Sequence, residues 1–167
     1  MKIQTKSLSD TEKIAKIFAD TITKDGLFCT LTGDIGAGKT QFIRYVLGFL
    51  NVKEQVTSPS FVILNEYKTA KFPIYHFDLY RLEQNGIKSI ISELREYSKK
   101  GVVTFIEWAE FALNEIPKNS LRINVEYDEN NLDIRLYEFS GDRMLFLDNF
   151  TKRIKDDKYL SNLLCAE

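Results

Sequence analysis

The chain has 167 residues, of which 44% are hydrophobic and 28% are charged, and this composition is typical of a folded globular domain. Its 23 basic and 24 acidic residues leave a net charge of −1, so no basic excess drives tight binding to DNA, or to RNA without a partner. No stretch approaches the run of about 18 apolar residues that a transmembrane helix needs. The two cysteines cannot form a disulfide framework, and the polar N-terminal residues lack the apolar run of a signal peptide, so we expect a cytoplasmic protein.

The N-terminal part of the chain predicts a helix, a strand, a turn and a second helix. Ser9 and Glu12 form a capping-box pattern that predicts the start of the first helix. The mostly apolar run at 27–32 predicts a strand buried on both faces, and a glycine-rich turn follows at 33–38. Apolar residues at 42–50 then recur at helical spacing. This order of elements is typical of the start of a βα unit.

The middle of the chain predicts further strands and ends in a hairpin. Segments 61–68 and 73–82 predict two strands, and 84–99 predicts a helix with apolar residues on one side. The run at 102–106 predicts a second buried strand. Alternating apolar residues on both sides of the polar turn at 128–131 predict a β-hairpin.

The glycine-rich turn is part of a phosphate-loop motif, because positions 33–40 match G-x-x-x-x-G-K-[ST] in full. Gly36 and Gly38 allow backbone N–H groups to come close to an anion at a helix N-terminus. Lys39 adds a positive charge for the β- and γ-phosphates, and Thr40 adds a hydroxyl for Mg²⁺. A glycine-rich turn that binds nothing is the alternative, but the position between a buried strand and an amphipathic helix favours nucleotide binding. The predicted nucleotide-binding residues here are Asp34, Ile35, Gly36, Ala37, Gly38, Lys39, Thr40 and Gln41.

Together these elements predict an α/β fold, namely a three-layer P-loop NTPase fold with a mixed, mainly parallel sheet, flanking helices and a C-terminal β-hairpin. We assign residues 1–140 to this domain. Residues 141–167 are predicted to form a mostly helical C-terminal appendage, because apolar residues such as Phe150 and Ile154 lie four apart. We expect the appendage to fold back on the domain, and docking onto a partner is the alternative.

Two carboxylates are candidates for the acidic residue with which a P-loop nucleotidase holds Mg²⁺ or its water. Glu107 follows the predicted strand at 102–106 and is the leading candidate, with a solvated strand-end glutamate as the alternative. Asp78 lies within an apolar strand, where a ligating role and a salt bridge to Arg81 explain the pattern equally well. His76 shares a strand face with Asp78, and a hydrogen-bonded structural histidine is the favoured interpretation.

Two further features lie near these candidates in the sequence. Trp108 is the only tryptophan and follows Glu107 directly. Core packing is the usual role of such a residue, and a ring beside the nucleotide or at a partner surface is the functional alternative. A hydroxyl-rich loop follows the P-loop helix, where many P-loop nucleotidases carry a γ-phosphate-sensing switch, although its composition alone favours an ordinary turn. This loop consists of Thr57, Ser58, Pro59, Ser60 and Phe61.

Four segments occur in the order and spacing of one known family. They are the phosphate loop at 33–40, Thr-Ser-Pro-Ser-Phe at 57–61, His-Phe-Asp-Leu-Tyr-Arg-Leu at 76–82 and Ile-Glu-Trp-Ala-Glu at 106–110. Through these segments the chain resembles the TsaE (YjeE) family, the small bacterial ATPases of tRNA threonylcarbamoyladenosine biosynthesis. The phosphate loop alone is shared with many other proteins, whereas the combination is specific.

The resemblance implies hydrolysis of ATP with Mg²⁺ in a complex with TsaB-like and TsaD-like proteins. The ATPase would reset that complex between turnovers, and the partners would hold the tRNA. The resemblance also implies catalytic roles for Lys39, Asp78 and Glu107, with Thr40 and Glu107 holding Mg²⁺. It places Trp108 near the nucleotide and implies that the hydroxyl-rich loop acts as a switch.

Two other functions fit the same residues. A small-molecule P-loop kinase would need an acceptor pocket and usually an arginine-rich lid, and the sequence has no arginine-rich segment. A non-catalytic module, in which ATP only gates assembly, would use the same residues as slow hydrolysis. The sequence therefore leaves the gating module open.

Overall fold

One sheet with flanking helices accounts for the described elements of the chain. The computed structural model describes residues 1–82, 90, 94 and 96–165. The strands are β1 (Lys2–Thr5), β2 (Gly26–Thr32), β3 (Leu64–Lys68), β4 (Pro73–Asp78), β5 (Val102–Glu107), β6 (Leu121–Asp128) and β7 (Asn131–Gly141). The α-helices are α1 (Leu8–Thr21), α2 (Lys39–Phe49) and α3 (Met144–Asp156), and short 3₁₀ helices cover Tyr80–Leu82, Ala109–Ala112 and Leu160–Leu163.

The sheet is mixed, and its strand order is β1-β7-β6-β2-β5-β4-β3. The four neighbouring strands β6, β2, β5 and β4 are parallel, whereas β3 and β7 run in the opposite direction. Because β1 pairs antiparallel with β7, it points the same way as the central strands. The predicted α/β fold with a mixed, mainly parallel sheet and a C-terminal hairpin is therefore confirmed.

Both faces of the central strands are covered, as their apolar sequences require. Along β2, Cys29 and Leu31 belong to the core cluster that includes residues of all three α-helices. Phe28 points to the opposite face and joins a second cluster with Ile90 and Leu94, which lie in the connection between β4 and β5. The two clusters give the three-layer arrangement.

The N-terminal segment differs from the sequence prediction. Residues Lys2–Thr5 form an edge strand, although the segment is mostly polar, because pairing with β7 buries Ile3 completely. The capping-box prediction at Ser9 and Glu12 was wrong, since Ser9 lies inside α1. The N-cap is Ser7, whose hydroxyl accepts a hydrogen bond from the Asp10 amide at 3.2 Å.

The strands before and after the β3–β4 turn are shorter than predicted. β3 begins at Leu64 because the preceding residues form a tight turn, in which the Ile63 amide donates to the Pro59 carbonyl at 2.6 Å. β4 ends at Asp78 because the 3₁₀ helix Tyr80–Leu82 follows. The helix predicted over 84–99 lies largely outside the described residues.

The C-terminal segment packs on the helical face of the sheet. Phe150 and Ile154 of α3 are fully buried in the main core cluster. The Phe150 ring meets Phe18 edge-on at a centroid distance of 5.6 Å and Phe139 at 4.9 Å. The division of the chain at residue 140 stays a prediction, and the buried ring of Phe150 offers a way to measure what α3 contributes.

Phe150→Ala is expected to lower the free energy of unfolding by about 3–5 kcal/mol, because it removes a fully buried aromatic ring. Leu145 lies in the same helix but is 76% exposed, so Leu145→Ala is the matched control and should change stability by less than about 0.5 kcal/mol. Urea unfolding followed by circular dichroism measures both variants. Equal stabilities would contradict the packing of α3 into the core.

Candidate functional site

The carboxyl ends of β2, β5 and β4 lie side by side at one edge of the sheet and carry the candidate site. In the parallel register, Glu107 lies opposite Leu31 of β2 and opposite Asp78 of β4. The phosphate loop connects the end of β2 to α2, and a cavity of about 390 Å³ lies between this loop and the two carboxylates. Ligands of α/β proteins commonly bind in such a crevice at the carboxyl ends of parallel strands.

Most of the predicted site residues line this cavity. The wall includes Ile35, Gly36, Gly38, Lys39, Thr40, Gln41, Asp78, Glu107 and Trp108. Asp34 and Ala37 are not on the wall. Ala37 is buried in the core, and the carbonyl oxygen of Asp34 accepts a hydrogen bond from Lys39. From the predicted switch-like loop the wall includes Ser58, and it does not include Thr57, Pro59, Ser60 or Phe61.

The backbone of the phosphate loop is left-handed at all three of its glycines, Gly33, Gly36 and Gly38. At Gly33, φ is 125° and a Cβ atom would lie 2.0 Å from the carbonyl oxygen of Val125 in β6. At Gly38, φ is 106° and the residue forms the N-cap of α2, where its carbonyl accepts from the Phe42 amide at 2.9 Å. Left-handed φ values at such positions favour glycine. The loop therefore presents backbone N–H groups at the positive end of α2, which is a common anion-binding arrangement.

The Lys39 side chain is buried within the loop and is only 4% exposed. Its Nζ donates hydrogen bonds to the carbonyl oxygens of Gly33 at 2.5 Å and Asp34 at 2.8 Å. It also lies 3.9 Å from the centroid of the Trp108 ring, within the range of a cation–π contact. Burial lowers the pKa of Lys39 below its ordinary value of 10.5, whereas the nearby carboxylates, led by Glu107, act to raise it.

Trp108 forms an aromatic wall beside Lys39. Its backbone is left-handed, with φ at 58°, which turns the chain out of β5 and into the 3₁₀ helix Ala109–Ala112. The ring stacks on Phe111 at a centroid distance of 5.9 Å and meets Tyr80 at 4.9 Å. The half-buried ring of Trp108 therefore packs against apolar neighbours and also faces the cavity.

Glu107 is the centre of a buried hydrogen-bond network and is 2% exposed. The Thr40 hydroxyl lies 2.8 Å from both carboxylate oxygens. His76 Nε2 lies 2.8 Å from Glu107 Oε1. These contacts of Glu107 connect the first turn of α2 to β5 and β4. Because the carboxylate is buried and hydrogen-bonded, the alternative of a solvated strand-end glutamate was wrong.

Asp78 takes part in a separate set of contacts. One of its oxygens accepts a hydrogen bond from the Ser58 hydroxyl, and the other accepts from the Tyr80 amide at 3.0 Å. Asp78 has no ion pair in the part of the chain that the structure describes, and Arg81 instead lies 4.1 Å from the centroid of the Phe61 ring. Asp78 thus fastens the predicted switch-like loop to the end of β4.

Sequence reasoning missed two charged residues next to the site. Arg44 is on the cavity wall, and it follows Thr40 by one helical turn, so helical spacing could have found it. Glu110 lies two residues after Trp108, and its buried Oε2 has no hydrogen-bond partner among the described residues. Burial raises the pKa of Glu110, and the charge of Lys39 acts against that shift. Glu110 ends the motif at 106–110, but the sequence analysis predicted no role for it, because its neighbourhood depends on the position of the phosphate loop.

Comparison with known proteins identifies the family of this chain. The family model for "Threonylcarbamoyl adenosine biosynthesis protein TsaE" matches residues 5–135. The chain belongs to the TsaE family. The tRNA threonylcarbamoyladenosine biosynthesis protein TsaE of Bacillus subtilis (strain 168) is 36% identical over 126 residues, which cover 75% of this chain and 77% of the relative. The protein of the same description from Rickettsia prowazekii (strain Madrid E) is 34% identical over 142 residues, covering 84% of this chain and 94% of the relative.

A solved structure agrees with this family assignment. The crystal structure of YdiB from Bacillus subtilis superposes with a TM-score of 0.74 at 29% sequence identity. The match covers 92% of this chain and 95% of that protein. The family model and the curated relatives confirm the resemblance to the TsaE family that the four sequence motifs indicated. Among the described residues, none of the helices is long and apolar enough to cross a membrane.

Lys39→Met is expected to change how stability depends on pH. Because the pKa of Lys39 in the folded protein lies below 10.5, the unfolded chain binds more protons in the window between the two values. The free energy of unfolding of the wild type, relative to Lys39→Met, should therefore rise as the pH increases through that window. Urea unfolding of both proteins at a series of alkaline pH values measures this difference. A difference that stays flat or falls would contradict the buried position of Lys39.

Proposed function

We propose that this chain is the ATPase component of bacterial tRNA threonylcarbamoyladenosine biosynthesis and works in a complex with TsaB-like and TsaD-like proteins. Membership of the TsaE family supports the pathway. The observation that carries the ATPase proposal is the contact of the Thr40 hydroxyl with the Glu107 carboxylate, next to the buried Lys39. A loop lysine, a hydroxyl and a strand-end carboxylate are the groups that P-loop nucleotidases use for phosphates and Mg²⁺.

The residues of the site fit Mg²⁺ and a nucleotide. Mg²⁺ prefers oxygen ligands and is usually held by one or two protein groups together with substrate phosphates. Thr40 and Glu107 supply two such oxygen groups at the end of the phosphate loop. When bound, ATP would supply the phosphoanhydride bond, and Mg²⁺ would supply the positive charge that neutralises the charge developing on the phosphates.

The protein groups around the cavity then have separate tasks. The backbone N–H groups of the loop bind phosphate oxygens, and Lys39 adds the positive charge. Trp108 excludes water from one side of Lys39, because its ring lies against Nζ there. Ser58 lies on the cavity wall and donates a hydrogen bond to Asp78. A bound nucleotide could change this contact, so we assign a switch role to the loop at 57–61.

In this proposal, the partner proteins bind the tRNA. A net charge of −1 does not favour direct binding of tRNA, so the TsaB-like and TsaD-like proteins would hold it. In this proposal, ATP hydrolysis resets the complex between rounds of modification. Because the pathway acts on tRNA, we expect the protein to work in the cytoplasm.

ATP turnover should be measurable and should increase when the TsaB-like and TsaD-like proteins are added. Lys39→Ala should reduce turnover by about 100-fold or more, because it removes the charge that stabilises the transferring phosphoryl group. Lys100→Ala is the matched control, since Lys100 is 80% exposed and pairs with Asp25 at the opposite end of β2. Nucleotide-dependent assembly without turnover would favour the gating module instead, and phosphorylation of a small molecule would favour a kinase.

The emission of Trp108 should change when Mg²⁺ and ATP are added. Phosphate would draw Lys39 away from the ring, whose centroid now lies 3.9 Å from Nζ. Trp108 is the only tryptophan, so steady-state fluorescence reports on this ring alone. The response should be absent in Lys39→Ala and retained in Lys100→Ala. An emission spectrum that is unchanged at saturating nucleotide would contradict a position beside the phosphates.

A further inference from the structure

His76 is a buried polar residue that the proposed mechanism has not used. It lies in β4 and is fully buried. His76 is not on the cavity wall, whereas Asp78 and Glu107 are. Its Nε2 lies 2.8 Å from Glu107 Oε1, and its Nδ1 is buried without a hydrogen-bond partner among the described residues. Because the ring is shielded from the cavity, any effect of His76 on bound ligands must pass through Glu107.

The contact defines the tautomer of the ring. An ionised carboxylate can only accept hydrogen bonds, so Nε2 must carry the hydrogen that it donates to Glu107. In the neutral ring, Nδ1 is then the bare nitrogen, and its lack of a partner leaves an acceptor unused and no donor unsatisfied. The contact with Glu107 therefore assigns a hydrogen to Nε2 of His76.

The same contact fixes the orientation of the Glu107 carboxylate. The Thr40 hydroxyl lies 2.8 Å from both of its oxygens on the side of the phosphate loop and shares its single hydrogen between them, and His76 donates to Oε1 from the interior of the sheet. With the Thr40 contact alone, the carboxylate could rotate about its last side-chain bond, whereas the bond from His76 restrains that rotation. Partners of a metal ligand that act in this way commonly change metal affinity by about 10–100-fold when they are removed.

We propose that His76 is a positioning residue, whose Nε2–H donor holds Glu107 towards Thr40 and thereby strengthens the Mg²⁺-dependent part of nucleotide binding. The proposal rests on the proposed function, because it requires Glu107 and Thr40 to hold Mg²⁺. A purely structural histidine would support folding and leave the response to Mg²⁺ unchanged. The two roles therefore differ in a measurable quantity.

Calorimetric titration of the full chain with ADP, in excess Mg²⁺ and in excess EDTA, tests the proposal. The wild type should bind ADP more tightly with Mg²⁺. In His76→Leu this gain should fall by about 10-fold, while the affinity in EDTA stays unchanged. His76→Gln, which keeps an N–H donor, should recover part of the gain. Thr104→Val is the matched control, because Thr104 is fully buried in β5 and donates to the Tyr97 carbonyl at 2.6 Å, away from the site.

The outcomes separate this proposal from the proposed function. A full Mg²⁺ gain in His76→Leu would overturn the role of His76 and leave the Mg²⁺ site intact. A wild type without any Mg²⁺ gain would overturn the site at Thr40 and Glu107, and the role of His76 with it. An equal loss in Thr104→Val would also overturn the proposal, because the effect would then follow from general destabilisation.

Nuclear magnetic resonance of the wild type gives a test that needs no variant. His76 is the only histidine, so ¹⁵N-labelled histidine gives one pair of ring nitrogen signals without an assignment problem. We expect Nε2 to carry a hydrogen in the folded protein. The opposite tautomer would overturn the proposal even if the His76 variants failed to fold.

Discussion

The parallel register of β5 with β2 and β4 is the constraint on which the site depends. It sets Glu107 opposite Asp78 and beside the start of the phosphate loop. A slip of one residue would turn Glu107 to the other face of the sheet, away from Thr40. The apolar side chains of β5 resist such a slip, because Phe105 and Ile106 fill different clusters on the two faces. The packing of the core therefore determines where Glu107 lies relative to Asp78 and the phosphate loop.

The site collects charges and strained geometry that a purely structural region would avoid. Lys39, Glu107 and Asp78 are each no more than 4% exposed, and each has hydrogen-bond partners: Lys39 donates to loop carbonyls, whereas the two carboxylates accept from side-chain hydroxyls. The left-handed backbone at Trp108 costs about 1–3 kcal/mol and is held by the stacking of its ring. Natural sequences break local rules mainly at functional sites, and this edge of the sheet fits that pattern.

The sequence by itself determined the parts of the protein that local chemistry controls. The phosphate loop follows from its glycines, because Gly33 and Gly38 adopt backbone angles that other residues resist. The buried strands and the hairpin follow from runs and alternation of apolar side chains. The family followed from four short motifs, and the family match over residues 5–135 confirms it.

Only the tertiary structure decided features that depend on residues far apart in the chain. The strand Lys2–Thr5 forms because β7, more than 120 residues later, pairs with it. The bond between Ser58 and Asp78 and the contact of His76 with Glu107 join different elements, so no local pattern encodes them. Glu110 lies near Lys39 for the same reason. Local sequence sets backbone preference and burial pattern, whereas side-chain partners are set by which elements the core brings together.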